Sequence, residues 1–344
     1  MTTTKTRRPA ARKVSPAKQA EIDAARTEKI DKLGKDLEAA VASLDTETTW
    51  VDFLDYLTKA ASKYSIGNQM LIWAEGARRG FTPRLVQSHG AWERAGHRIR
   101  SREDGGNAIW IYGPIMRRLN KAEADAREAQ TGKRIPRNDK GGSRDQYLVG
   151  FKPVPVFDAS QVQDPENVVL PEPIVRRRQV SGPMPELLTG DDPTGALADI
   201  ERLIKEHGLE LSYVDPAALG GANGDTNGTR VRIRNDVDKA QTIKTAVHEL
   251  AHNMLGHVGG GERRGGLTRG QRESEAESTA YVVLGALGFD TGAYSAPYVS
   301  SWSEGNVETI RAAITEVSNT VKAILAALDP GTETGQDDVP APAA

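Results

Sequence analysis

The stretch Thr245-Ala246-Val247-His248-Glu249-Leu250-Ala251-His252-Asn253-Met254-Leu255-Gly256-His257 decides how the C-terminal half of this 344-residue chain is read. Its apolar spacing predicts a helix over about 238–257, with Val247, Leu250, Ala251 and Leu255 turned toward a core. On that helix His248 and His252 lie one turn apart on the same face, where both imidazoles reach a single ion. Glu249 stands beside His248, placed to take a proton from a water that the ion activates. HExxH also turns up in proteins that bind no metal, so the flanking sequence matters. Three of the chain's six histidines fall in this stretch, and Arg230-Val231-Arg232-Ile233-Arg234 ahead of it alternates like a half-exposed strand. An edge strand there would hold an extended peptide above the helix.

A third ligand is expected from the next helix, predicted over about 270–287. Glu273 and Glu277 are four apart and share a face, whereas Glu275 points elsewhere. Glu273 is read as the ligand, and Glu277 as the carboxylate that orients a histidine or as an alternative ligand. Glu275 is read as a solvated acid. His257 lies roughly 140° around the helix from His252 and would converge on the site only if the helix broke at Gly256. It is read instead as a residue interacting with the helix C-terminus. Tyr294 and Tyr298 could bring a phenol near a developing oxyanion, although core packing is the plainer role for both.

Composition narrows the chemistry further. The chain has no cysteine, which excludes disulfides, thiolate catalysis and cysteine-based zinc sites, so a metal must rest on His, Asp or Glu. No apolar run approaches the ~18–20 residues that span a bilayer, and the basic N-terminus lacks a signal peptide's apolar segment. A cytoplasmic protein is expected. The net charge of −2 conceals an asymmetry: residues 1–157 carry 29 Lys/Arg against 19 Asp/Glu, while residues 158–344 carry 16 against 28. A basic first half suits a polyanionic partner.

Along the chain, residues 1–18 hold six Lys/Arg and no acid, and read as a disordered basic arm. Helices are predicted over about 19–44, over 50–63 and after Tyr64. Short apolar runs at 108–112 and 147–151 argue for strands, with the charged residues 117–146 as an exposed loop between them. Val154–Phe157 reads as a further strand, placed near a sheet edge by Pro155. The prolines of 159–194 mark a linker. A domain then restarts near residue 195 with a helix to 207 and extends to 328, and an acidic, Pro- and Gly-rich tail over 329–344 is expected to be disordered. No internal repeat is evident.

In the first half, Arg78, Arg79, Arg84, Trp92, Arg98, Arg100 and Arg102 stand out, because cations interleaved with flat rings suit single-stranded nucleic acid. Three stretches there, Tyr64-Ser-Ile-Gly67-Asn68-Gln69-Met-Leu-Ile72, Trp92-Glu-Arg-Ala-Gly96-His-Arg98-Ile-Arg100 and Gly150-Phe151-Lys-Pro153-Val-Pro-Val156-Phe157-Asp158, are similar to the single-stranded-DNA-binding domain of ArdC-type antirestriction proteins. His248-Glu249-Leu-Ala-His252 with Glu273-x-x-Ala276-Glu277 resembles the metallopeptidase half of the same proteins, related to the ImmA/IrrE group. The resemblance covers roughly residues 45–305. It implies single-stranded DNA as a partner of residues 19–158, a mobile-element or phage setting, and zinc in residues 195–328.

The expectation is therefore an α+β protein with a DNA-binding domain and a zincin-like metallopeptidase domain. Zn²⁺ would be held by His248, His252 and Glu273, with Glu249 as the base and a peptide or protein as substrate. The alternative is a non-catalytic DNA-protecting protein with a structural or vestigial metal site. An intact Glu249 argues against it, because a structural site has no use for a base there. A metal-dependent nuclease ranks third.

Overall fold

The computed structural model describes residues 15–59, 64–170, 192, 195–258, 266–289, 303 and 305–328. Most of the basic arm and of the Pro-rich segment, the acidic tail, and Tyr294 and Tyr298 lie outside these residues. The described residues mix helices with two small three-stranded sheets, an α+β arrangement. Among them no helix is long and apolar enough to cross a membrane. The chain divides into two compact units: the residues up to Lys35 with Tyr112–Val154, and Asp36–Ile111 with the residues from Pro155 onward. This division does not follow a boundary at residue 158.

In the first unit, helix α1 (Pro16–Ser43) contributes its N-terminal part, and the strands β2 (Ile109–Arg118) and β3 (Gln146–Asp158) contribute most of their length. The segment 117–146 is not a plain loop. It contains a helix, α5 (Lys121–Thr131), which Asn120 and Glu123 begin with a reciprocal capping box, each side chain accepting from the other residue's backbone N–H. Leu119, Ala124 and Ile135 form a small core beneath it. The expected strands at 147–151 and 154–157 are one continuous strand, β3, which is the centre of the sheet order β1-β3-β2. Pro155 is tolerated there because β1 (Val86–Gln87) is so short: it pairs with Phe157 and Asp158 only.

The second unit contains the site. Helix α2 (Glu47–Lys59) buries Trp50, Phe53, Leu54 and Tyr56, and α3 (Ile66–Arg79) buries most of its first eight residues. Trp92 of α4 (His89–Arg94) anchors a core with Phe157, Ala159 and Val162. Residues 159–170 thus belong to a packed body rather than to a linker. Farther on come α6 (Ala196–Glu206), β4 (Glu210–Val214), β5 (Gly224–Thr226), β6 (Arg230–Arg234), α7 (Lys239–Met254), α8 (Arg269–Ala286) and α9 (Val307–Leu328).

Helix α2 runs alongside α8 in the same direction. The Trp50 indole N–H donates to Ser278 Oγ at 3.0 Å, the Tyr281 hydroxyl donates to Asp55 Oδ1 at 2.7 Å, and Gly285 lets Thr58 approach closely. On α9, Ile310, Ile314, Val317, Val321 and Ile324 are buried at helical spacing, and this face packs on α8. The helix expected to bear metal-binding acids is therefore walled by both α2 and α9.

The second sheet has the order β4-β6-β5, with β4 parallel and β5 antiparallel to β6. Arg230–Arg234 was expected at an edge. It is the central strand, and its buried Val231 and Ile233 explain the alternation. The edge nearest α7 is β5.

Candidate metal centre

Helix α7 is buried along Ala246, Val247, Leu250 and Ala251, which fixes the direction of the opposite face. That face lines a cavity of about 460 Å³ together with Gly224, Asp225 and Thr226 of β5. Helix α8 begins with a capping box between Thr268 and Gln271, and its first three turns carry Glu273 and Glu277 into the same cavity.

The expected ligands converge. One nitrogen from each of His248 and His252 and one oxygen of Glu273 lie within 4.8 Å of one another. In detail, His248 Nε2 and His252 Nε2 are 3.1 Å apart, and Glu273 Oε2 lies 3.5 Å from the first and 3.6 Å from the second. Glu277 Oε2 sits 2.9 Å from His248 Nδ1, close but off the ideal hydrogen-bonding direction, while its other oxygen meets Lys244 Nζ at 3.2 Å. Glu277 thus stands behind the histidine rather than at the convergence point.

His257 and Glu275 are the residues that sequence reasoning misses. Helix α7 ends at Met254, and Gly256 adopts φ 73°, a left-handed conformation that costs glycine little. The chain then turns back, with the His257 N–H donating to the His252 carbonyl at 2.9 Å. The helix does break at Gly256, but His257 does not become a ligand. Its Nδ1 lies 3.0 Å from His252 Nδ1, and its Nε2 lies 3.0 Å from Glu275 Oε2. Glu275 is not solvated: both side chains are 1% exposed. The break at Gly256 was the available signal.

Electrostatics set the character of the cavity. Burial would lower the His248 pKa, but the Glu273 and Glu277 carboxylates outweigh it and hold the imidazole up to about 10. The neighbouring imidazoles of His248 and then His252 keep Glu273 well below the usual carboxylate range. Burial lowers His252, against the pull of Glu273. Burial also pushes the Glu249 carboxyl up to about 7, with His248 opposing the rise and Glu273 and Asp225 adding to it. The converging acids favour a positive charge where the three ligand atoms meet, and a divalent cation supplies one.

The donor set fits a small divalent ion. At metal–ligand lengths of ~2.0–2.2 Å, tetrahedral ligand atoms sit about 3.3–3.6 Å apart. Octahedral neighbours at ~2.0–2.1 Å sit at about 2.9 Å. Two of the observed separations, 3.5 and 3.6 Å, match the tetrahedral edge, and the third, 3.1 Å, falls between the two geometries.

The expected nucleic-acid residues are not brought together in the same way. Arg78, Arg84, Arg98 and Arg102 are exposed. Arg79 pairs with Glu75 and donates to the carbonyls of Asn107 and Ala108, and Arg100 Nε donates to the Val162 carbonyl at 2.7 Å. Trp92 is 1% exposed and its indole N–H donates to the Phe157 carbonyl, so its ring is a core element and offers no stacking platform. Packing of Phe157, Ala159 and Val162, with Val168 and Leu170, around Trp92 accounts for the burial of its ring.

Comparison with known proteins adds little to this geometry. No protein-family model matches the chain, and no curated protein matches it. Among solved structures it is similar to two crystal structures of the antirestriction ArdC protein from the R388 plasmid. The metal-free structure shares 16% identity and the Mn(II)-bound structure 19%, each with a TM-score of 0.41. Each alignment covers 78% of this chain, and 87% and 86% of the respective neighbours.

Proposed function

We propose that the chain is a zinc-dependent peptidase of the HExxH type whose N-terminal part binds single-stranded DNA, an antirestriction-type protein. The observation that carries the first half is the set of ligand-atom separations, 3.1, 3.5 and 3.6 Å, in a cavity that Glu249 also lines. His248, His252 and Glu273 would hold the zinc, which when bound supplies a Lewis acid and lowers the pKa of a coordinated water.

The rest falls to the protein. Glu249 is buried with its carboxyl raised toward neutrality, a suitable acceptor for the water's proton and donor to the leaving amine. Strand β5 presents an outer backbone edge along the cavity, the kind of template on which an extended peptide adds as a further strand. That edge favours a peptide over a phosphodiester substrate. Asp225 on β5 is held by an ion pair with Arg232, and Glu277 is held by Lys244, so neither is a loose acid competing for the ion.

The DNA-binding half rests on the excess of Lys/Arg over Asp/Glu in residues 1–157 and on the exposed Arg78, Arg84, Arg98 and Arg102. Binding there would localise the peptidase or shield the strand.

Metal content tests the site. About one zinc per chain is expected in the purified protein and none in Glu273→Ala, with Glu249→Gln keeping the metal and losing peptide cleavage. Equal metal content in the wild type and Glu273→Ala would sink the assignment.

A further inference from the structure

Two buried side chains are left unused by the ligand set and by the base: His257 and Glu275. They form a line that runs from the buried Glu275 to the back of His252, with Glu275 Oε2 3.0 Å from His257 Nε2 and His257 Nδ1 3.0 Å from His252 Nδ1. His252 Nε2, at the far end of that ring, is the atom that faces His248 and Glu273. We propose that Glu275 and His257 are positioning residues which fix the tautomer and ring orientation of His252, so that its Nε2 lone pair points at the metal position.

The proton arrangement follows from donor and acceptor counting. Two imidazole nitrogens at 3.0 Å need one hydrogen between them, so one ring donates and the other accepts. If His257 were the donor while neutral, its bare Nε2 would face the Glu275 carboxylate, and two acceptors would be pressed together in a buried place. A doubly protonated His257 would force the His252 hydrogen onto Nε2, an outcome that the imidazole shifts would expose. With His257 neutral and His252 the donor, every contact along this line is satisfied. His252 Nδ1–H donates to His257 Nδ1, His257 Nε2–H donates to Glu275, and His252 Nε2 is left without a hydrogen. A histidine binds metal through a bare nitrogen, so this tautomer is the competent one.

A buried Glu–His pair could also serve merely to pin the turn after α7 to α8. Two features argue for more. The pair does not end on itself but continues to a ligand's ring, and it meets that ring at the nitrogen opposite the ligand atom. The two ligand histidines are also supported unequally. His248 has Glu277, which is 22% exposed and shared with Lys244, whereas both members of the His252 support are 1% exposed. A buried support with no water to replace it has more to lose on truncation.

The proposal rests on His248, His252 and Glu273 being a metal site, and the experiment separates the two claims. Zinc affinity is measured by competition with a chelating dye for the wild type, Glu275→Gln and His257→Gln, with folding checked by circular dichroism. The tautomer of His252 is read from its imidazole ¹⁵N shifts in the metal-free wild type and in Glu275→Gln. The expected results are roughly 10–100-fold weaker zinc binding in both variants, a single His252 tautomer protonated at Nδ1 in the wild type, and a mixture in Glu275→Gln. No zinc on the wild type would overturn the metal site and the proposal with it. Tight zinc on the wild type with undiminished affinity in folded Glu275→Gln would overturn the proposal alone. Should neither variant fold, the wild-type shifts still decide: a His252 protonated at Nε2 refutes it.

Discussion

Gly224→Ala is the substitution for which the structure gives the sharpest expectation. Gly224 opens β5, and a Cβ placed on it would lie 2.5 Å from Thr245 Cγ2, 2.9 Å from the Arg232 carbonyl oxygen and 3.2 Å from Glu249 Oε1. Carbon atoms rest at about 3.5–4.0 Å. The methyl group therefore requires β5 and α7 to separate by about 1 Å, and the obstacle is helix side chain on one side and strand backbone on the other. Overpacking of this kind costs typically about 1–3 kcal/mol, which a thermal melt resolves as a lowering of several degrees. The strain is assigned chiefly to the Thr245 methyl, which suggests a cycle. Thr245→Ser removes Cγ2 and keeps the hydroxyl that donates to the Gln241 carbonyl and accepts from its amide. Thr245→Ser alone should cost little, and the double variant should recover part of the loss, a coupling on the order of 0.5–2 kcal/mol. Strict additivity, or a Gly224→Ala protein as stable as the wild type, would refute the close approach of β5 to α7.

Other outcomes follow from separate parts of the molecule. Trp50→Phe removes the indole N–H that Ser278 Oγ accepts in a buried setting, and should cost about 1–3 kcal/mol in urea denaturation, more than the same change at an exposed site. Burial raises the Glu75 pKa, but hydrogen bonds from Arg78 and Arg79 outweigh it and leave the carboxyl below its ordinary 4.5. A depressed folded-state pKa stabilises above the unfolded value and loses that contribution as pH falls through the folded one. The stability gap between wild type and Glu75→Gln should accordingly be constant above about pH 5 and shrink on acidification below 4.5; a gap that widens in acid contradicts the pairing. For the DNA reading, Arg98→Ala with Arg102→Ala should weaken binding to short single strands and lower the salt slope by about 0.7 for each phosphate that is no longer neutralised. Trp92→Phe should change stability and leave the salt slope alone.

What could be read from the sequence and what could not divides along a physical line. His248, His252, Glu273 and Glu277 were legible because helical geometry alone puts residues four apart on one face, whatever the rest of the chain does. The position of α7 was legible for the same reason, through the period of Val247, Leu250 and Ala251. The partnership of His257 with Glu275 depends on a left-handed glycine and on how α8 docks, which no periodicity encodes. The central place of β6 was hidden because its second neighbour, β5, is three residues with no apolar pattern. Helix α5 was obscured by a charged composition, yet its Asn120-x-x-Glu123 start is a capping signal that could have been taken at face value. Trp92 is a core residue because it packs with Phe157, Ala159 and Val162, a pairing across some 65 positions that no local spacing reveals.

The packing of α2 against α8 changes how the two proposed activities should be related. The α8 residues just after the two site carboxylates meet α2: Ser278 follows Glu277 directly, and Tyr281 is one turn on. A helix that has to present Glu273 and Glu277 on one side and Glu275 on the other has little freedom to rotate, since a turn of a few tens of degrees about its axis would withdraw at least one of the three. The Trp50–Ser278 and Tyr281–Asp55 hydrogen bonds resist that rotation. Residues of the basic half therefore help to hold the metal-binding helix in register. Separating the chain at residue 158 to study the activities apart would remove α2 from α8, and the site would be expected to lose metal affinity before it lost its ligands.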